Sequence, residues 1–122
     1  MIVAMLVGLF AGIIIGFIFN ISYPPEYSFY ITMALLAAMD SVVGAMRSHL
    51  EDKYSNVIFI TGFLTNAVLA GLLTFVGDKL GVPLYYAALL VFGGRLFNNI
   101  AACRRIAIEK ILSKKNKNMT EN

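Results

Sequence analysis

The sequence predicts an all-α membrane protein in which four transmembrane helices form two parallel-repeated helical hairpins. Three observations lead there. Hydrophobic residues make up 59% of the 122 and charged residues 14%, whereas a soluble domain carries about 45–50% and 25%. Four apolar stretches each approach or reach the roughly 20 helical residues that a bilayer core requires. The chain also resembles itself when shifted by 58 residues.

The first span covers about residues 2–19, broken only by glycines and ending at Asn20. No Lys or Arg precedes it and no small-residue cleavage pattern follows, so it is expected to stay in place rather than serve as a cleaved leader. Tyr23-Pro24-Pro25-Glu26 reads as a rigid turn, with Pro25 placed where a first-turn proline is tolerated. The second span covers 27–46 and carries Asp40; the third covers 56–76; the fourth covers 83–103, with helix extending to about Leu112. None alternates with period two as a barrel strand would. Residues 113–122 read as a basic, disordered cytoplasmic tail.

With four spans, both termini and the loop from Arg47 to Ser55 share one side. That side holds Arg47, Lys53, Arg104, Arg105, Lys110, Lys114, Lys115 and Lys117; the other holds Lys79 alone. The imbalance places both termini in the cytoplasm of a plasma-membrane protein. Tyr23, Tyr27, Tyr30, Tyr85 and Tyr86 fall at the outer ends, where amphipathic rings sit well. The basic run Arg104, Arg105, Lys110, Lys114, Lys115 and Lys117 is expected to meet anionic lipid on the cytoplasmic side, each cation contributing about 1 kcal/mol. No aromatic residues interleave with it, so nucleic acid is not expected as a partner.

In the 58-residue register Asn20 falls on Asp78, Pro25 on Pro83, Tyr27 on Tyr85, Asp40 on Asn98 and Arg47 on Arg105. A two-helix repeat starts each copy on the same side, so the copies are parallel and related by an axis along the membrane normal. Gly8, Gly12 and Gly16 line one face of span one; in span three Gly62 and Ala70 fall on the matching face. Small residues at this spacing let helix backbones approach closely. Two uses stay open: packing within one subunit, or a face for a second copy or another membrane protein.

Asp40, Asn66, Arg95, Asn98 and Asn99 form a candidate intramembrane polar layer. At 1.5 Å per residue, Asp40 lies about 20 Å inward of Tyr27, Arg95 about 18 Å inward of Pro83, and Asn66 about 15 Å from the inner face. A charge at that depth costs about 2.5–3.5 kcal/mol, so an Asp40–Arg95 pair flanked by the asparagines is expected. Guanidinium suits it because its planar fork matches a carboxylate. Such a pair can be a packing device or line a path or ligand site, and both uses stay open.

One cysteine excludes an intrachain disulfide, and Cys103 with His49 cannot make a zinc cluster. No glycine-rich phosphate loop occurs. No nucleophile–base set lies together, and the outer face offers only Glu26 and Asp78 as acids, so neither catalysis nor a cofactor nor a metal is expected. His49, beside Glu51 and Asp52, reads as a solvated interface residue, and Cys103 as a reduced thiol.

Several of these residues stand in a recognisable order. Pro25-Glu26-Tyr27-Ser28, Ala37-Ala38-Met39-Asp40-Ser41 on to Arg47, Thr61-Gly62-Phe63 with Asn66, and Gly94-Arg95-Leu96-Phe97-Asn98-Asn99-Ile100-Ala101 on to Arg104-Arg105 resemble the small basic protein family of Gram-positive bacteria. The resemblance covers about residues 2–106. The chain departs from the family pattern at Phe29, where a polar residue is usual, and at Ala45, where glycine is frequent. These departures weaken any argument for an outer-loop site or very tight packing at Gly44. The resemblance implies a multi-pass plasma-membrane protein, often encoded near division and cell-wall genes. It brings no activity and no catalytic residue. Two functions from different classes are therefore expected to compete: a non-enzymatic scaffold that binds envelope or division proteins, and an oligomeric transporter or channel using the polar layer. A lipid-handling role through the basic face and Arg95 is a third.

Overall fold

The computed structural model describes residues 1–121 as four α-helices and one short 3-10 turn. Helix α1 spans Ile2–Ile18, α2 Ser28–Leu50, α3 Asn56–Leu80 and α4 Tyr85–Thr120. No strand occurs among the described residues. Helices α2 (with the turn before it), α3 and α4 are long and apolar enough to cross a membrane. Helix α1 is the most apolar of the four but has 17 residues, a rise of about 26 Å against a core of about 30 Å.

The helix ends follow from local chemistry. Chain direction reverses after α1 at Asn20, whose φ of 47° is a left-handed value that asparagine tolerates. Pro25 opens the 3-10 turn Pro25–Tyr27 that leads into α2, since its fixed φ suits a first helical turn. Ser55 caps α3 by accepting from the Ile58 amide. Gly81, at φ 67°, stops α3 in the left-handed conformation that glycine adopts without strain.

The segment expected to be a disordered tail is helical through Thr120. It lacks Gly and Pro, is rich in Lys, Leu and Ile, and continues an existing helix. Propagation from that helix needs no new nucleus, which is the costly step. Asn122 lies outside the described residues.

Helix α2 is the centre of the bundle. It packs most extensively on α4, next on α3, and over a shorter stretch on α1; α3 and α4 touch each other more sparingly. Helix α1 touches neither α3 nor α4. The packing therefore does not follow the sequence repeat, under which α1 should sit on α4 as α3 sits on α2. The core lies toward the Tyr85 end, where Met33, Ala37, Ala70, Ala88 and Phe92 are buried together. At that end Phe29 stacks on Tyr85 with ring centroids 4.5 Å apart, and the Tyr30 hydroxyl donates to Asp78 at 3.0 Å. At the opposite, basic end the Lys110 ammonium donates to the Leu50 carbonyl at 2.7 Å. Lys110, expected only as a lipid-facing cation, thus also caps the last turn of α2.

The small-residue stripe does not serve packing within the chain. A Cβ added at Gly8, Gly12, Gly16 or Gly62 would meet nothing within 4 Å. No residue of α1 is buried. Of the five small residues expected to mediate close approach, only Ala70 does so, in the core. The physical reason is that α1 packs on α2 alone and over a short stretch, so it stays peripheral and its glycines face open space.

Candidate functional site: a polar cleft at mid-bundle

One helix face of α2 carries Asp40, Gly44, Arg47, Ser48 and Glu51, a polar and small stripe at helical spacing. Ser55, Gly62 and Asn66 recur similarly on α3, and Arg95 and Asn99 on α4. Because α3 and α4 contact each other sparingly, these stripes are not pressed together. They line a cleft of about 410 Å³, with α2 behind, the first half of α3 on one side and Arg95 and Asn99 of α4 on the other. Lys53 and Tyr54 stand with them at the mouth, and Phe59 and Phe63 give the α3 wall an apolar surface.

At the inner limit of the cleft, Arg95 Nη2 lies 3.2 Å from Asp40 Oδ2. The pair is lopsided: the Asp40 side chain is 0% exposed and the Arg95 side chain 50%. Neither Asp40 oxygen accepts a hydrogen bond of good geometry among the described residues, and the buried Ser41 hydroxyl is also unpartnered. Buried polar groups almost always find partners in protein or water, so three such atoms beside one cleft mark a place where something else completes them.

Nearer the mouth the polar groups satisfy one another. The Arg47 guanidinium donates through Nε to Glu51 at 2.9 Å and through Nη1 to the Asn99 side-chain oxygen at 3.2 Å. The bond from Arg47 holds the Glu51 carboxyl below its ordinary value of 4.5. Gly44 makes room for this bridge, since a Cβ there would meet the Asn99 amide at 3.4 Å.

The structure brings Asp40, Asn66, Arg95 and Asn99 to the cleft but leaves Asn98 exposed and outside its lining. Residues three and four beyond Arg95 diverge by about 100° around the helix, so one cleft takes only one of them. Sequence reasoning assigned Arg47 and Lys53 merely to the basic side and did not single out Ser41, Glu51 or Tyr54 as site residues. For Arg47 and Glu51 the signal was present as the continuation of the Asp40 stripe along α2; Ser41, Lys53 and Tyr54 carry no such periodic signal. Arg104, Arg105, Lys114, Lys115 and Lys117 are exposed along α4, away from the cleft. No cluster of three or more His, Cys, Asp or Glu residues suited to a metal occurs among the described residues.

Comparison with known proteins fits this arrangement to a family. A family profile described as a protein of unknown function, DUF1290, matches residues 23–108. The "Small basic protein" of Bacillus subtilis is 49% identical over 111 residues, covering 90% of this chain and 92% of that one. The chain belongs to this small basic protein family. Uncharacterized proteins of Mycobacterium bovis and Mycobacterium tuberculosis are 38% identical over 96 residues, covering 77% of this chain and 79% of theirs. No solved structure matches the chain. The matched region includes all of the cleft and excludes α1.

Proposed function

We propose that the chain is a four-pass plasma-membrane protein with both termini in the cytoplasm, and that it is a non-enzymatic binding component of the cell envelope. The observation that carries this reading is that the cleft is blind. It is polar from Lys53 to the Asp40–Arg95 pair. One or two turns further along the same helix faces stand Ala37 and Met33 on α2, Ala70 on α3, and Phe92 and Ala88 on α4, all buried together. A conduit needs a polar route through that layer, so the oligomeric transporter or channel would have to run between copies. A blind polar cleft suits holding a molecule that arrives from the cytoplasmic side. The basic bias beside it favours that orientation, and the family resemblance favours division or wall proteins as neighbours.

Single-cysteine labelling tests the reading in a Cys103→Ala background. Gly62→Cys and Asn66→Cys should react with a membrane-impermeant thiol reagent applied from the cytoplasmic side. Ala37→Cys in the core and Leu69→Cys on the exposed face of α3 should not, while Ser55→Cys serves as the reactive control. Silence at positions 62 and 66 would remove the cleft as a working site.

A second reading, a helical scaffold, is favoured by a separate observation: Gly8, Gly12 and Gly16 line an apolar groove between α1 and α2 and meet no neighbour in the chain. A second copy or another membrane helix could approach closely there. Gly12→Cys in the same background should then form a covalent adduct with a partner or a second copy on oxidation in membranes. A protein that stays monomeric and uncoupled would count against it.

A further inference from the structure

We propose that the cleft binds a phosphate ester that also carries hydroxyl groups, of the phosphoglycerol type presented by anionic lipid headgroups. This rests on the binding reading above and names its ligand class. Three features select it. Asp40 is fully buried with neither oxygen properly hydrogen-bonded, and Ser41 beside it is unpartnered. A carboxylate accepts only, so what completes it must donate, as a hydroxyl does. Arg95 spends one nitrogen on Asp40 and keeps half its side chain exposed. Its remaining donors can fork onto phosphate oxygens, the geometry for which guanidinium is suited. Asn66 lines the same space, and its side-chain amide has no hydrogen-bond partner among the described residues, so it adds a neutral donor.

Charge agrees with an anion. Arg47, Lys53 and Arg95 face the cleft against Asp40 and Glu51, three cations to two carboxylates. Ile58, Phe59 and Phe63 form an apolar wall beside the polar groups. A headgroup attached to an aliphatic chain is matched on both counts: the head on Arg95, Asn66 and Asp40, the chain along α3. Glycerol phosphate in solution shares the polar chemistry but leaves the wall unused.

Gly62 supplies the means of testing this without disturbing the fold. It lines the cleft, and a Cβ there would meet nothing within 4 Å. Gly62→Leu should therefore fill the cleft while improving helix propensity. The full-length protein in neutral detergent would be offered phosphatidylglycerol and phosphatidylcholine with identical acyl chains, and retained lipid counted by native mass spectrometry. The wild type should hold phosphatidylglycerol about tenfold better, the loss expected for one charge-assisted hydrogen bond. Gly62→Leu should abolish that preference without lowering the melting temperature. Asn66→Ala, which trims the site instead of filling it, should weaken the preference and covers the case in which Gly62→Leu misfolds. Lys114→Gln with Lys115→Gln and Lys117→Gln should leave it intact. Competition by sn-glycerol 1-phosphate would support the site with a soluble source; no competition would support the lipid source. Equal retention of the two lipids would overturn the proposal. So would a preference that survives at position 62 and disappears with the tail lysines. Labelling at positions 62 and 66 would still report a hydrated cleft in either case, so failure of the ligand class is separable from failure of the binding reading.

Discussion

The two ends of the bundle use the same three helices in opposite ways. Toward the Tyr85 end α2, α3 and α4 close on small and apolar residues, Ala37, Ala70, Ala88, Met33 and Phe92, and the turn between α3 and α4 is tight. A Cβ on Gly77 would lie 2.5 Å from the Val82 carbonyl and 3.0 Å from the Leu84 amide. Toward the basic end side-chain bridges, Arg47 to Asn99 and Lys110 to Leu50, join α2 to α4, while α3 contacts α4 only sparingly and a cleft opens between them. Glycine at the first end permits contact; glycine at the second, Gly62, leaves space. The same residue type therefore means closure in one place and a cleft in the other, and only the position of the third helix tells them apart.

The largest effect should come from breaking the ion pair where the two ends meet. Arg95→Gln leaves the Asp40 carboxylate buried and unpaired, a change that costs about 3–5 kcal/mol. Asp40→Asn should cost less, because the stranded Arg95 is already half exposed. Asp40→Asn with Arg95→Gln should recover much of the loss. Folded yield and melting temperature in detergent would show the order; equal loss in both single variants and the double variant would argue that the charges do not act as a pair.

Next in size is the contrast between the two glycines. Gly77→Ala forces the α3–α4 turn to move and should destabilise by about 1–3 kcal/mol, the range for overpacking. Gly62→Leu should be neutral or slightly stabilising. The melting temperatures of the two variants, measured side by side, check whether closure and space are distributed as described. A drop for Gly62→Leu equal to that for Gly77→Ala would mean that the basic end is as tightly closed as the other.

The smallest effect is electrostatic and confined to the mouth. Glu51 has its carboxyl lowered by the Arg47 bond in the folded protein. Its contribution is present above the ordinary value of 4.5 and is lost as pH falls through the lower folded value. Both side chains are partly exposed, so solvent screening keeps it small. Glu51→Gln should flatten the acid limb of a melting-temperature profile slightly and leave neutral pH nearly unchanged. A neutral-pH drop as large as that of Gly77→Ala would assign Glu51 a larger structural role.

Much of this protein is legible in its sequence. Apolar runs of sufficient length, Pro25 and Gly81 as punctuation, and the presence of two opposite charges at similar depth follow from composition and spacing, because backbone hydrogen bonding and the cost of a lone buried charge act locally or along one helix. The pairing of Asp40 with Arg95 was legible for the same reason. The use of the glycine stripe was not, because it depends on how closely α1 approaches another helix, and α1 meets only α2, over a short stretch. The choice of Asn99 over Asn98 was equally hidden, since a helix offers both and its rotation against α2 selects one. The helix through Thr120 is hidden in the sequence because its charge density masks the continuity of α4. Sequence by itself determined a helical, apolar chain with a polar layer at mid-depth. Tertiary structure alone decided that this layer ends a cleft, because α3 and α4 meet closely at one end and stand apart at the other.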